Sequence, residues 1–221
     1  MKKLALVLVL GAAVAFSPAS AQADTIAVGD SVIISDVASG PYRDNAGGGG
    51  TFWVHNVTQV GTDFMTFCME LSESISLGQQ FLVSGIDDYA VKGGADLDLP
   101  LNDGKDYLSA ETKALYDYFR SSAATGFTGG DLQNAFWFFE HEIATSQAAN
   151  PAYQWAVANA ATYQFAGEVK ALNLKFKTAT RVGEDAQTLL TWQPIPDGGA
   201  TLMLLGGALL GLGALRRKFR Q

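Results

Sequence analysis

Two apolar ends without a single acidic residue bracket this chain and set how much of it can fold as one body. Residues 1–23 carry Lys2 and Lys3 as their only charges, and residues 200–221 carry only Arg216, Arg217, Lys218 and Arg220. All 22 acidic residues therefore lie in 24–199 against 9 basic ones, a net charge of −13 for the interior where the 221-residue chain as a whole shows −7. An interior of that length predicts one domain. Its acidic surface argues against binding nucleic acid or anionic lipid, because neutralising phosphates takes clustered Lys and Arg. A single cysteine, Cys68, excludes an intrachain disulfide.

The N-terminal end orders its parts as an export signal does. Met1-Lys2-Lys3 is followed by the apolar run Leu4 to Phe16 and the small-residue stretch Ala19 to Ala23. This order predicts a signal peptide over 1–23, cleaved after Ala23 or, second, after Ala21. At the other end, Pro194-Ile195-Pro196-Asp197-Gly198-Gly199 precedes the charge-free run Ala200 to Leu215 and the cluster Arg216-Arg217-Lys218. As a helix that run spans about 24 Å at ~1.5 Å per residue, short of the ~30 Å hydrocarbon core, though snorkelling basic side chains and local thinning can close the gap. A membrane-spanning helix over 200–215 is expected, with the basic end on the cytoplasmic side and the body outside.

Together, the motif, the weak glycine-rich span and the arginine cluster resemble the PEP-CTERM sorting tail, and Ile195 to Gly199 looks like its Val-Pro-Asp-Ser-Gly variant. Asp197 and Gly198 depart from the commoner Pro-Glu-Pro form. The resemblance assigns Pro196, Asp197, Gly198 and Gly199 to the sorting motif and Arg216, Arg217 and Lys218 to the anchor end. It implies an exosortase-type processing enzyme as a partner and a Gram-negative host, in which a membrane-anchored precursor passes to the cell surface or extracellular matrix. A plain single-pass anchor that is never processed is the simpler alternative.

Within the body, expected as residues 24–193, short β-branched runs come first: Thr25 to Val28, Ser31 to Ile34, Thr51 to Val60 and Phe64 to Leu71. In the last, Phe64, Thr66, Cys68 and Glu70 share one face, and Met65, Phe67, Met69 and Leu71 make an apolar face opposite. The period then changes. Ser109 opens a helix striped by Ala114, Leu115, Tyr118 and Phe119. Thr128 and Asp131 have capping-box spacing ahead of Leu132, Ala135, Phe136, Phe139 and Ile143. Asn150-Pro151 caps a third helix running to about Ala161. Strand signals return at Glu168–Thr178 and Gln187–Trp192, with Gln193–Gly199 as a linker. Strands, a helical insertion and strands again predict an α+β domain built on a β-sandwich or barrel.

A cysteine that cannot form a disulfide has few structural uses in an exported protein. It can pair with a glutamine: the thiolate displaces ammonia from the carboxamide and leaves an internal thioester, provided the two groups are held together and water is excluded. Phe67-Cys68, followed by Leu132-Gln133-Asn134-Ala135-Phe136-Trp137 at the start of a capped helix, resembles the aromatic-Cys and apolar-Gln-x-Ala-apolar-Trp motifs of bacterial thioester domains in surface adhesins. That resemblance implies a Cys68–Gln133 thioester flanked by Phe67, Ala135, Phe136 and Trp137. It also implies a covalent-capture module that takes an amine- or hydroxyl-bearing surface or matrix target, with no cofactor and no enzymatic turnover. Trp137, one helical turn from Gln133, is placed to cover the bond.

Other signals are weaker. His55 and His141 read as surface histidines, since no nucleophile–base–orienter set accompanies Cys68. Asp96, Asp98, Asn102, Asp103 and Asp106 invite a calcium reading, but Pro100 and Leu101 break the EF-hand spacing and a solvated loop is the better expectation. Gly47–Gly50 reads as a flexible loop without the Lys-Ser/Thr of a phosphate cradle. Two histidines and one cysteine argue against a transition-metal site. The rival to the thioester reading is a noncovalent structural or biofilm-matrix surface protein with the same tail, in which Cys68 and Gln133 are merely packed. A secreted cysteine hydrolase is the third class.

Overall fold

In the computed structural model the described residues are 24–43, 49–59, 61–91, 104–122, 126–178 and 180–194. The expected signal peptide at 1–23, the sorting motif, the 200–215 span with its basic end, and Asp96, Asp98, Asn102 and Asp103 lie outside them. Strands β1 (Ser31–Asp36) and β2 (Phe52–Asn56) show the alternation that one buried face imposes. Val32, Ile34, Phe52 and Val54 point inward, while Ile33, Ser35, Trp53 and His55 stay half-buried on the outer face. The two pair antiparallel, with Ser35 opposite Trp53 and Ile33 opposite His55.

Strand β3 (Phe64–Thr66) adds to β2. On the other side β4 (Gln80–Asp87), β7 (Gly167–Phe176) and β8 (Asp185–Pro194) complete a six-stranded antiparallel sheet in the order β3-β2-β1-β4-β7-β8. The chain beyond β3 then closes it: Cys68 bridges Leu189 of β8, the Met69 N–H donates to Thr188 O at 3.0 Å and the Leu190 N–H to Phe67 O at 3.2 Å. The sheet is therefore a closed barrel, a solution that leaves no long unpaired edge. A ribbon of β5 (Tyr89–Ala90) and β6 (Asp106–Tyr107) leads out of it.

Helices α1 (Ala110–Ser121), α2 (Gly129–Phe139) and α3 (Pro151–Asn159) are inserted between β6 and β7. Each begins where its cap dictates. Ser109 Oγ accepts from Thr112 N–H, Thr128 and Asp131 form a reciprocal capping box, and the Asn150 side chain accepts from the N–H groups of Ala152 and Tyr153 ahead of Pro151; each such cap stabilises a helix by ~1 kcal/mol. Two apolar cores result. One fills the barrel with Val32, Ile34, Val54, Phe81, Leu174 and Leu189; the other packs Leu115, Tyr116, Phe119, Leu132 and Phe136 against Phe67, Met69 and Leu190 of its wall.

Several expectations are corrected. Thr25–Val28 is no strand, because Asp24 and Asp30 recruit its ends: the Asp24 N–H donates to Trp192 O and Asp30 Oδ2 accepts from the Ala27 N–H. Strand β4 was not expected, although it is central. The face of α1 is wider than the stripe, since Tyr116 and Asp117 are buried while Tyr118 is half-exposed and stacks on Trp155. Asp117 is buried because it accepts from the N–H groups of Ala166 and Gly167 and from Trp192 Nε1. The expected third helix ends at Asn159 and tightens into a 3₁₀ turn over Ala160–Thr162. The linker starts later than Gln193, for Gln193 and Pro194 pair with Glu168 and Gly167.

Both ends of the body meet. Asp24, 2% exposed, bonds to Trp192 through main and side chain and forms an ion pair of 2.6 Å with Arg120. Asp24 and Trp192, near the two ends of the described body, thus lie side by side.

Candidate functional site

Cys68 sits on the seam that closes the barrel. Its neighbours Phe67 and Met69 point to the helices while its own side chain joins the barrel interior, so residues 66–70 are buried on both faces. Phe67 is wedged edge-on between Phe119 and Tyr116 and lies 5.0 Å from the Phe136 ring. This position follows from the sequence, in which apolar residues alternate with Thr66, Cys68 and Glu70.

Because Met69 and Leu190 make the seam's hydrogen bonds, the N–H and C=O of Cys68 face away from β8. Gln133, fully buried in the second turn of α2, supplies both partners. The Cys68 N–H donates to Gln133 Oε1 at 3.0 Å and Gln133 Nε2 donates to the Cys68 C=O at 2.8 Å. The carboxamide thus stands where a neighbouring strand would be, with its carbon across from the Cys68 Cα. A strand side chain leaves the plane of its backbone bonds, so the Cys68 thiol stands out of the line of the two hydrogen bonds that hold the carboxamide. The N–H on Oε1 also polarises that carbonyl.

Three further groups wall the pair. The Gly50 N–H is directed at the Cys68 sulfur. A Cβ at Gly49 would overlap the Trp137 ring and lie 3.3 Å from Gln133 Cγ, so only glycine fits. Trp137 is 3% exposed and its indole N–H has no hydrogen-bond partner. Gly49 and Gly50 are therefore buried walls of the site and not the loop expected from their composition. Ala135 and Phe136 pack in the core beneath the helices.

Charge is nearly excluded here. Burial pushes the Cys68 thiol well up, Glu70 adds to this, and the Gly50 N–H opposes it. The site holds a thiol and not a resting thiolate, so reactivity must come from placement. Glu70, two residues on and fully buried, accepts from the Thr188 N–H at 2.9 Å through Oε2, while Oε1 has no partner. Burial holds its carboxyl well above the ordinary range despite the Thr188 bonds. It is a buried acid beside the pair, visible in the sequence only as the next residue on the face of Cys68.

Neither histidine approaches Cys68 closely enough to bond it. His141 is exposed and lies beyond the end of α2 in a left-handed conformation with φ 61°, not on the helix. His55 is half-buried on the outside of the barrel. Among the described residues no group of three or more His, Cys, Asp or Glu side chains could hold a metal ion.

Residues 194–219 match the VPDSG-CTERM motif. The tail is a PEP-CTERM-type sorting signal. It begins at Pro194, the last residue of β8. It marks an exported, surface-associated protein and is consistent with processing by an exosortase-type enzyme. No curated protein and no solved structure matches the chain. Among the described residues no helix is long and apolar enough to cross a membrane.

Proposed function

We propose that this surface-sorted protein is a covalent-capture module for adhesion or matrix attachment, in which Cys68 and Gln133 form an internal thioester. The observation that carries the reading is the paired hydrogen bonding of the Gln133 carboxamide to the main chain of the sole cysteine, inside a water-excluding wall of Gly49, Gly50 and Trp137. In the forming step the Cys68 sulfur bonds to the Gln133 carbonyl carbon, the carbon–nitrogen bond breaks, and the thiol proton leaves with ammonia. The Cys68 N–H would hold the charge that develops on Oε1. In the capture step an amine or hydroxyl of a target attacks that carbon and its proton returns to the sulfur, giving an amide or ester bond and a free thiol. Each thioester acts once, so capture at Cys68 and Gln133 is not turnover. The tail would deliver it to the surface or matrix of a Gram-negative host.

A second reading has its own support. Gln133 already satisfies the two backbone groups that the seam leaves open at Cys68, a structural task that needs no covalent bond and suits a noncovalent matrix protein. Incubation of the full-length chain with methylamine separates the two. Capture predicts an adduct at Gln133, with release of the Cys68 thiol, that is absent from Cys68→Ala. A protein that takes up no amine while folded, and whose Cys68 alkylates freely once unfolded, contradicts it.

A further inference from the structure

The solvent face of β1 and β2 carries a second reactive arrangement, far from Cys68 in chemistry and independent of the thioester. Ser35 Oγ lies 2.7 Å from His55 Nε2, and His55 Nδ1 lies 2.7 Å from Asp63 Oδ2. Ser35 and His55 come from adjacent strands, two pairs apart in register and so on the same face, and Asp63 from the turn just before β3. Their order is fixed by chemistry. A carboxylate can only accept, so Nδ1 carries a proton toward Asp63; in the neutral ring Nε2 is then bare and accepts the Ser35 hydroxyl proton. The imidazole is held in the tautomer and orientation that a general base needs, with a nucleophile on one side and an orienting carboxylate on the other.

The array is also accessible. The His55 and Asp63 side chains are 37% and 44% exposed. Beside them lies a shallow, largely open depression of about 380 Å³ lined by Trp53, His55, Gly61 and Asp63. Trp53 stands directly opposite Ser35 and offers an apolar wall. The positively wound backbone of Gly61, φ 91°, closes the turn at the rim with no side chain to fill it.

We propose that Ser35, His55 and Asp63 form a nucleophile–base–orienter site that takes an acyl group from a small, apolar ester. Ser35 Oγ bonds to the ester carbonyl carbon and its proton moves to His55 Nε2. The alkoxide leaves with that proton as an alcohol, and Ser35 is left acylated. Water, deprotonated by the same nitrogen, then releases the acid and restores the hydroxyl. His55, left over from any pairing with Cys68, has a task here that sequence spacing could not disclose.

The test treats the detergent-solubilised full-length chain with a fluorophosphonate probe, which bonds to an activated serine oxygen as fluoride departs, and maps the adduct by peptide mass. The expected adduct is on Ser35, is lost in Ser35→Ala, and forms about 100-fold more slowly in His55→Gln. Slow hydrolysis of p-nitrophenyl acetate should follow the same pattern. Asp63→Asn, which leaves the Ser35–His55 contact in place, should also slow labelling, and it carries the test if His55→Gln does not fold. No adduct on Ser35, or an adduct formed at the same rate in both variants, overturns the proposal and leaves the array as a tie between β1 and the turn before β3.

Discussion

Cys68 and Ser35 each have a partner aligned by hydrogen bonds, yet they occupy opposite environments. Cys68 is walled in by a glycine pair, a tryptophan and a buried acid, with its own backbone clamped by Gln133. Ser35 faces solvent on the outer side of the same barrel, with a histidine and a carboxylate that are both open to water. The difference teaches what each can do. A bond that water would hydrolyse needs the buried site, which solvent reaches slowly. A site meant to exchange small molecules with solvent needs the open one. The contrast also separates consequences: changes at the buried pair should cost both chemistry and stability, and changes at the outer array chemistry alone.

The largest effect is expected at Gln133. Gln133→Ala strips two buried backbone groups of their partners and leaves a gap beside Cys68, which should cost about 2–4 kcal/mol, read as a lowered denaturation midpoint. It must also abolish amine uptake. If stability is unchanged, the clamp described here does not operate. Gly49→Ala comes next. Its Cβ would meet the Trp137 ring, and forcing the ring aside should cost about 1–3 kcal/mol and expose the pair, measurable as faster Cys68 alkylation in the amine-treated protein.

Glu70 gives a test in pH. Its carboxyl is held above the ordinary value of 4.5 by burial, so above that value the folded chain keeps a proton that the unfolded chain has lost. Stability therefore falls as pH rises from 4.5 toward the raised value. Asp24, pushed up to about 6 by burial against the pull of Arg120, adds a slope of the same sign that ends near pH 6. Denaturant unfolding across pH should therefore show wild type losing more stability than Glu70→Gln as pH rises above 4.5. The smallest effect is at Ser35, where Ser35→Ala should shift stability by no more than about 0.5 kcal/mol. A large loss would mean that the outer array is structural.

Much of this contrast was legible in the residue order, and the reason differs by part. Helix starts were legible because caps are local: Ser109, Thr128 with Asp131, and Asn150 with Pro151 act within one turn. Gln133 and Trp137 were legible as a pair because four residues make one helical turn. Strand β4 was not, because its burial alternates only over Phe81 to Val83 before Gly85 and a register shift break the pattern. Barrel closure depends on Cys68 meeting Leu189, residues far apart in sequence whose pairing no local period encodes. The same holds for Gly49 and Gly50, whose composition reads as a loop until Trp137 is seen to lie on them. The Ser35 array joins three segments that the β1–β2 register helps to align, and His55 alone read as a surface histidine.

The central claim is that Cys68 and Gln133 are bonded, and mass decides it. The full-length protein should be isolated from cells that export it, unfolded without any amine or thiol reagent, and mapped as peptides spanning Cys68 and Gln133. The account predicts that these two peptides are joined, with a mass one ammonia below the sum of the two separate peptides, and that the joined species is absent from Cys68→Ala. Two separate peptides of full mass, with Cys68 freely alkylated and Gln133 intact, would contradict it.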